Sequence, residues 1–235
     1  MAEKQSIFVS GHVEPVPWKI SDVLFTYAFI FALSVFAIGV LLLTNIDTEN
    51  AVFPALLQIV ISASTMSVIY FIVTKKYKIP FNEAFGISYK DTPRYFIMGI
   101  IVSLVLVIST TLVSVALSGF SQGEKENPYV SMPAEKLRII SLLAVFIAPV
   151  VEEIFFRGFM QPALVKNLGM FGGILLTALI FGLSHSQYLG YSTALVAVTV
   201  IGLILGVVRQ RTGSVMPGIF AHLMNNLFAA LSLLF

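Results

Sequence analysis

The chain of 235 residues is 57% hydrophobic and only 11% charged, a balance outside that of soluble globular domains, so it reads as an integral membrane protein. Its net charge of +2 is too small to indicate a nucleic-acid partner. The absence of cysteine removes disulfides, thiol catalysis and thiolate metal sites together.

Residues 1–22 read as a polar, cytoplasmic N-terminal arm in which His12 is a solvated surface residue. No cleavable signal peptide is predicted, because the first apolar run is too long, so that span is expected in the mature protein. Runs long enough to cross a bilayer follow at Val23 to Leu43, Val52 to Val73, Phe96 to Leu117, Ile139 to Leu164, Gly169 to about His185, Tyr191 to Val208, and Ser214 to Phe235. Lipid cannot satisfy free backbone groups, so these runs must be helices. The expected fold is all-α, a polytopic bundle of about seven spans. Residues 23–235 form one transmembrane domain, since the stretches Thr74 to Arg94 and Ser118 to Arg138 are too short to be domains.

Cations alternate from loop to loop. Lys4 and Lys19 precede span one, whereas the next loop holds Asp47 and Glu49; Lys75, Lys76, Lys78, Lys90 and Arg94 follow span two. Lys166 follows span four, and Arg209 with Arg211 follow span six. In the loop from Ser118 to Arg138, between spans three and four, Lys125, Lys136 and Arg138 are balanced by Glu124, Glu126 and Glu135. The positive-inside rule places the N-terminus in the cytoplasm and the C-terminus outside, for a multi-pass protein of the cell membrane. The basic stretch from Lys75 to Arg94 is a topology signal that also suits anionic lipid.

Span four carries Glu152, Glu153 and Arg157 inside an apolar stretch, where a charge costs on the order of 3 kcal/mol or more. Glu153 and Arg157 are four apart on one face, and Glu152 points about 100° away, so the two carboxylates need not share a role. Pro149 cannot donate to the carbonyl of Val145 and predicts a kink one turn before Glu152. On span five Phe181 and His185 share a face, and on span seven His222 and Asn226 do. Helix rise from the cytoplasmic ends puts Glu152 about 18 Å, His185 about 22 Å and His222 about 14 Å deep, levels that allow one polar site between spans four, five and seven. Gly169 with Gly173 and Gly202 with Gly206 read as close-packing pairs.

A carboxylate facing an imidazole in a water-accessible pocket can deprotonate water and later protonate a leaving amine, the minimum for peptide hydrolysis. His222 and Asn226 could donate to the oxyanion, with Arg157 offsetting Glu153. The same atoms suit a metal: Glu152, His185 and His222 are a ligand set for catalytic zinc. The pattern of two histidines four apart with glutamate beside the first, usual in zinc proteases, is absent. The preferred scheme requires no cofactor, with zinc as the alternative.

The string Glu152-Glu153-Ile154-Phe155-Phe156-Arg157 resembles the EExxxR motif of the CAAX protease and bacteriocin-processing (CPBP) intramembrane peptidases. Phe181 to His185 is similar to that family's FxxxH motif, and His222 to Asn226 to its HxxxN motif. All three occur in order within a core of about residues 139–226. The resemblance implies an intramembrane endopeptidase acting on membrane-associated proteins or peptides. In it Glu152 and His185 activate water, His222 and Asn226 form the oxyanion site, and Glu153 and Arg157 support them.

Each assignment has a structural counterpart. Glu153 and Arg157 could be an ion pair holding span four, and the histidines interhelical hydrogen-bonders. Phe155, Phe156 and Phe181 read as packing or lipid-facing residues. Two other functional classes use the same residues: a non-enzymatic membrane immunity or scaffold protein, and a proton-coupled transporter, which the absence of visible repeats disfavours.

Overall fold

The computed structural model describes residues 16–44, 52–119, 129–188 and 190–234. His12, the loop acids Asp47 and Glu49, and the charges at Glu124, Lys125 and Glu126 lie outside them. The described chain is helical: α1 (Ile20–Thr44), α2 (Val52–Tyr70) running into a π-helical turn (Phe71–Lys76), α3 (Phe81–Phe85), α4 (Thr92–Leu117), α5 (Ala134–Phe146), α6 (Ala148–Glu152), a π-helical stretch (Glu153–Met160), α7 (Gln161–Ser184), α8 (Ser192–Thr212) and α9 (Met216–Leu234).

Six helical segments are long and apolar enough to cross a membrane, rather than the seven expected. The difference lies in one of them, Ala134–Ser184, which is 51 residues long. At about 1.5 Å per residue a straight helix of that length would run more than twice the thickness of the hydrocarbon core. It does not run straight, because Gly169 (φ 71°, ψ 171°) breaks it. That backbone region is open essentially to glycine alone. The chain doubles back there, so Gly173 lies against Val165, and the rings of Phe156 and Phe181 meet with centroids 5.1 Å apart. The fourth and fifth apolar runs are thus two limbs of one hairpin. Gly169, expected to pack, instead makes the turn: among the described residues no packing neighbour lies within 4 Å of where its Cβ would be.

Lipid tails are as apolar as leucine, so close approach at small residues and interhelical hydrogen bonds must hold such a bundle together. Gly202 lies against Ala178, and Gly206 against Gln161 and Ile174. Large side chains at Ile97, Ile101, Leu104, Ile108, Leu112 and Val115 form an exposed stripe along α4, as a lipid-facing surface requires. At the centre lies the π-helical stretch, all eight residues of which are buried. Phe155, Phe156 and Phe181 are core packing residues, 4%, 6% and 1% exposed.

One end of the bundle is clasped by the segment before α1. The Trp18 indole N–H donates to the carbonyl of Phe159 (2.8 Å), and the Lys166 ammonium donates to the carbonyl of Val16 (3.1 Å). Asp22 accepts from the Lys19 amide, the Lys76 ammonium and the Tyr77 phenol. Arg209, expected as a loop cation, belongs to α8 and is buried, its Nε donating to the carbonyl of Arg157 (3.3 Å).

Candidate active site

The helix that carries the acidic pair is irregular where it matters. Helix α5 ends at Phe146 and α6 begins at Ala148; Ile147 between them keeps its bonds to Leu143 and Val151, and Pro149, which has no N–H to give, sits in the first turn of α6, in keeping with the kink expected before Glu152. Glu152 closes α6, and the winding widens from Glu153 onward. π-Helical turns inside α-helices are frequent at functional sites. The side chains of the two glutamates part company here: Glu153 is fully enclosed, whereas a quarter (26%) of the Glu152 side chain remains accessible.

The inner layer is a charge cluster. Arg157 Nη1 donates to Glu153 Oε1 (2.8 Å), and His222 Nδ1 stands 3.1 Å from the same oxygen. Arg157 Nη2 reaches the carbonyl of Gly202 at 3.4 Å, and its guanidinium carbon lies 4.1 Å from the centre of the Phe181 ring. A buried charge survives only when paired and hydrogen-bonded, and Glu153 and Arg157 provide that for each other. Glycine at 218 makes room, since a Cβ there would stand 2.8 Å from Glu153 Oε2.

The outer layer faces open space. Glu152 Oε2 lies 3.8 Å from His222 Nε2 and 4.0 Å from His185 Nε2, and this buried oxygen has no hydrogen-bond partner. His185 Nδ1 is 2.8 Å from the carbonyl of Phe181, which can only accept, so Nδ1 carries the proton. By the same argument the His222 Nδ1 proton is directed at Glu153. With each Nδ1 directed at an acceptor, both Nε2 atoms are left toward the space around Glu152. Asn226 Nδ2 donates to the carbonyl of Ala144 (2.9 Å), anchoring the amide while leaving its second N–H available.

These groups line a cavity of about 550 Å³ between α2, α5, α7, α8 and α9. It opens at the end of the bundle opposite the Trp18 clasp, where Tyr129, Gln187 and Tyr188 stand over His185. The rings of Tyr188 and His185 are nearly parallel, 7° apart, and the Tyr129 ring meets Tyr188 edge-on. Burial pushes the Tyr188 phenol up to about 12 and raises that of Tyr129, so both stay neutral at physiological pH.

The structure brings together Glu152, Glu153, Arg157, His185, His222 and Asn226 from three separate runs of sequence. Sequence reasoning missed the bond between Glu153 and His222, the glycine at 218 that accommodates it, and the cavity-lining amides of Gln58, Gln187 and Asn225. Gln58 did carry a signal, as an uncharged polar residue inside an apolar run. The donor set suits zinc in kind: two imidazole Nε2 atoms and a carboxylate oxygen, with each Nδ1 directed at an acceptor behind it, the usual outer arrangement of ligating histidines. The 3.8 and 4.0 Å separations exceed the edge of about 3.4 Å expected of a tetrahedral site. Among the described residues no three metal-binding side chains are close enough to hold an ion as they stand.

Comparison with known proteins agrees with this core. Over 88 residues the chain is 38% identical to an "Uncharacterized 24.3 kDa protein" of Escherichia coli, covering 36% of this chain and 40% of that one. Over 109 residues it is 28% identical to the "Putative membrane peptidase YdiL" of Bacillus subtilis, covering 46% and 43%. The chain thus spans less than half the length of these curated relatives. No solved structure matches it. The family model of type II CAAX prenyl endopeptidase Rce1-like proteins matches residues 134–228, from the start of α5 to beyond Asn226 in α9. That region, which holds all three motifs, is an Rce1-like CAAX endopeptidase (CPBP) family domain.

Proposed function

We propose that the protein is an intramembrane endopeptidase that hydrolyses peptide bonds of membrane-associated proteins or peptides. The observation that carries this reading is the unpartnered Glu152 Oε2, on a cavity wall within a membrane bundle, with two imidazole Nε2 atoms at 3.8 and 4.0 Å. A small rotation of the Glu152 side chain, a quarter of which is accessible, would let one water bridge its carboxylate and both rings.

In the reaction, Glu152 takes a proton from that water, with His185 as its second hydrogen-bond partner, and the resulting hydroxide attacks the scissile carbonyl carbon. The tetrahedral oxyanion receives hydrogen bonds from the free N–H of Asn226 and from His222. Because the Nδ1 proton of His222 is directed at Glu153, donation from Nε2 requires the imidazolium, for which Glu153 is the counter-ion. Collapse breaks the C–N bond as Glu152 returns the proton to the leaving amine, giving a new carboxylate and a new amine. Should zinc be bound, Glu152, His185 and His222 would hold it, and the ion would acidify its bound water and polarise the carbonyl. Chelation with metal add-back separates the schemes: cleavage that survives complete metal removal belongs to the chain's own groups.

The clustering of Lys19, Lys75, Lys76, Lys78, Lys90, Arg94, Lys166 and Arg211 about the clasped end supports a cytoplasmic N-terminus, with the cavity opening toward the outer face. The test of function is a peptide library presented to purified protein and read by mass spectrometry. Glu152→Ala, His185→Ala and His222→Ala are each expected to abolish cleavage while the protein still inserts and folds. Full activity in all three would end the peptidase reading; a scaffold or immunity function would survive those substitutions.

A further inference from the structure

We propose that the cavity takes an unwound peptide segment free of acidic residues, whose main-chain amides are met by the side-chain amides of Gln58 and Asn225. The inference rests on the peptidase reading and names the substrate conformation and the residues that hold it.

A helix arriving from lipid satisfies its own N–H and C=O groups, but hydrolysis requires the scissile carbonyl to leave that ladder, and lipid cannot replace the lost partners. Something in the cavity must. A side-chain amide offers a donor and an acceptor side by side, the complement of a peptide unit, whatever the residue's side chain. Gln58 stands on the α2 wall, six residues on from Val52, within an otherwise apolar run, and Asn225 stands on the α9 wall three residues after His222. Both are held loosely: Gln58 Nε2 lies 3.4 Å from the Ser62 hydroxyl, and Asn225 Nδ2 lies 3.4 Å from Asn226 Oδ1. Neither bond is short enough to satisfy an amide in lipid, and each leaves the other functions of that amide facing the cavity.

The rest of the lining says what the segment lacks. Among the described residues the ionisable groups are Glu152, His185, His222, Tyr129 and Tyr188; no lysine, arginine or aspartate lines the cavity. With no lysine or arginine there, an acidic side chain or a terminal carboxylate would meet no fixed cation and would face the Glu152 carboxylate, so the bond cleaved is internal and its neighbours are not acidic.

The probe is a fluorescein-labelled Leu/Ala peptide of about 20 residues, in nanodiscs, made unbroken, with a central Gly-Pro that unwinds it, and with an Asp beside that Gly-Pro. Binding is read on the full-length Glu152→Gln protein, so no turnover intervenes. The Gly-Pro peptide is expected to bind at least about fivefold more tightly than the unbroken one, and the Asp form at least about tenfold more weakly than the Gly-Pro form. Gln58→Leu and Asn225→Leu should each erase the preference for Gly-Pro and leave the unbroken peptide unaffected, with thermal unfolding of each variant as the check on folding. Equal binding of broken and unbroken peptides, a preference that persists in both variants, or an Asp peptide bound as tightly as the neutral one would overturn the proposal. Amide-dependent binding without any library cleavage would fault the peptidase reading alone; cleavage without amide dependence would fault this one alone.

Discussion

Glu153 has two partners, and they make different demands. Arg157 requires its charge, since an unpaired buried guanidinium costs several kcal/mol, and His222 requires its oxygen at 3.1 Å. Glu153→Ala is therefore expected to destabilise the protein by about 3–5 kcal/mol, measured by unfolding in detergent. Removing both charges, as in Glu153→Leu with Arg157→Met, should restore stability to within about 1–2 kcal/mol of the natural protein. Activity should not return, because His222 has lost the group that orients it. Much of this was legible in the sequence: carboxylate, imidazole and amide stand out in an apolar chain because their cost announces them. What could not be read was which glutamate faces which histidine. Spacing along a helix fixes angles on that helix only, and the π-helical winding from Glu153 onward alters even those. The depth of Arg209 escaped for a related reason, since a cation near the end of a span looks the same in sequence whether it reaches water or turns inward to a carbonyl.

At the level of elements, the hairpin at Gly169 makes the two apolar runs read from the sequence two limbs, although helix continuity joins them into one segment. Hydropathy sees two runs, and helix continuity sees one segment of 51 residues; the single backbone angle that reconciles them leaves no trace in composition. Gly169 and Gly39 give a matched test, because among the described residues neither has a packing neighbour within 4 Å of where a Cβ would stand, and of the two only Gly169 has a positive φ. Gly169→Ala is expected to cost about 1–3 kcal/mol, the strain of forcing a side chain into a glycine-only region. Gly39→Ala, inside α1, should be neutral or stabilising by up to about 1 kcal/mol. Equal effects at the two positions, read from unfolding in detergent, would show that the turn does not depend on this glycine.

For the molecule as a whole, orientation decides from which side of the membrane the cavity is reached. The chain lacks cysteine, so single cysteines can be introduced without a background. Tyr89 is 87% exposed at the clasped end, and Val130 is 67% exposed at the cavity end. An impermeant maleimide added to intact cells should label Val130→Cys and spare Tyr89→Cys until the membrane is opened. The reverse pattern would invert the molecule and place the cavity mouth in the cytoplasm. The family domain at residues 134–228 supplies Glu152, His185, His222 and Asn226, while α2, outside it, contributes Gln58 to the far wall of the cavity. The cavity is therefore completed by a part of the chain outside the family domain.

The clasp by which Trp18 and Val16 meet Phe159 and Lys166 has a consequence for how the protein is made. Those partners are separated by 141 and 150 positions, so the ribosome must synthesise well over half of the chain before the first residues find their place. Closure of the clasp is thus a later event than the insertion of α1, which finds α2, Lys76 and Tyr77 first and its partners at Phe159 and Lys166 only afterwards.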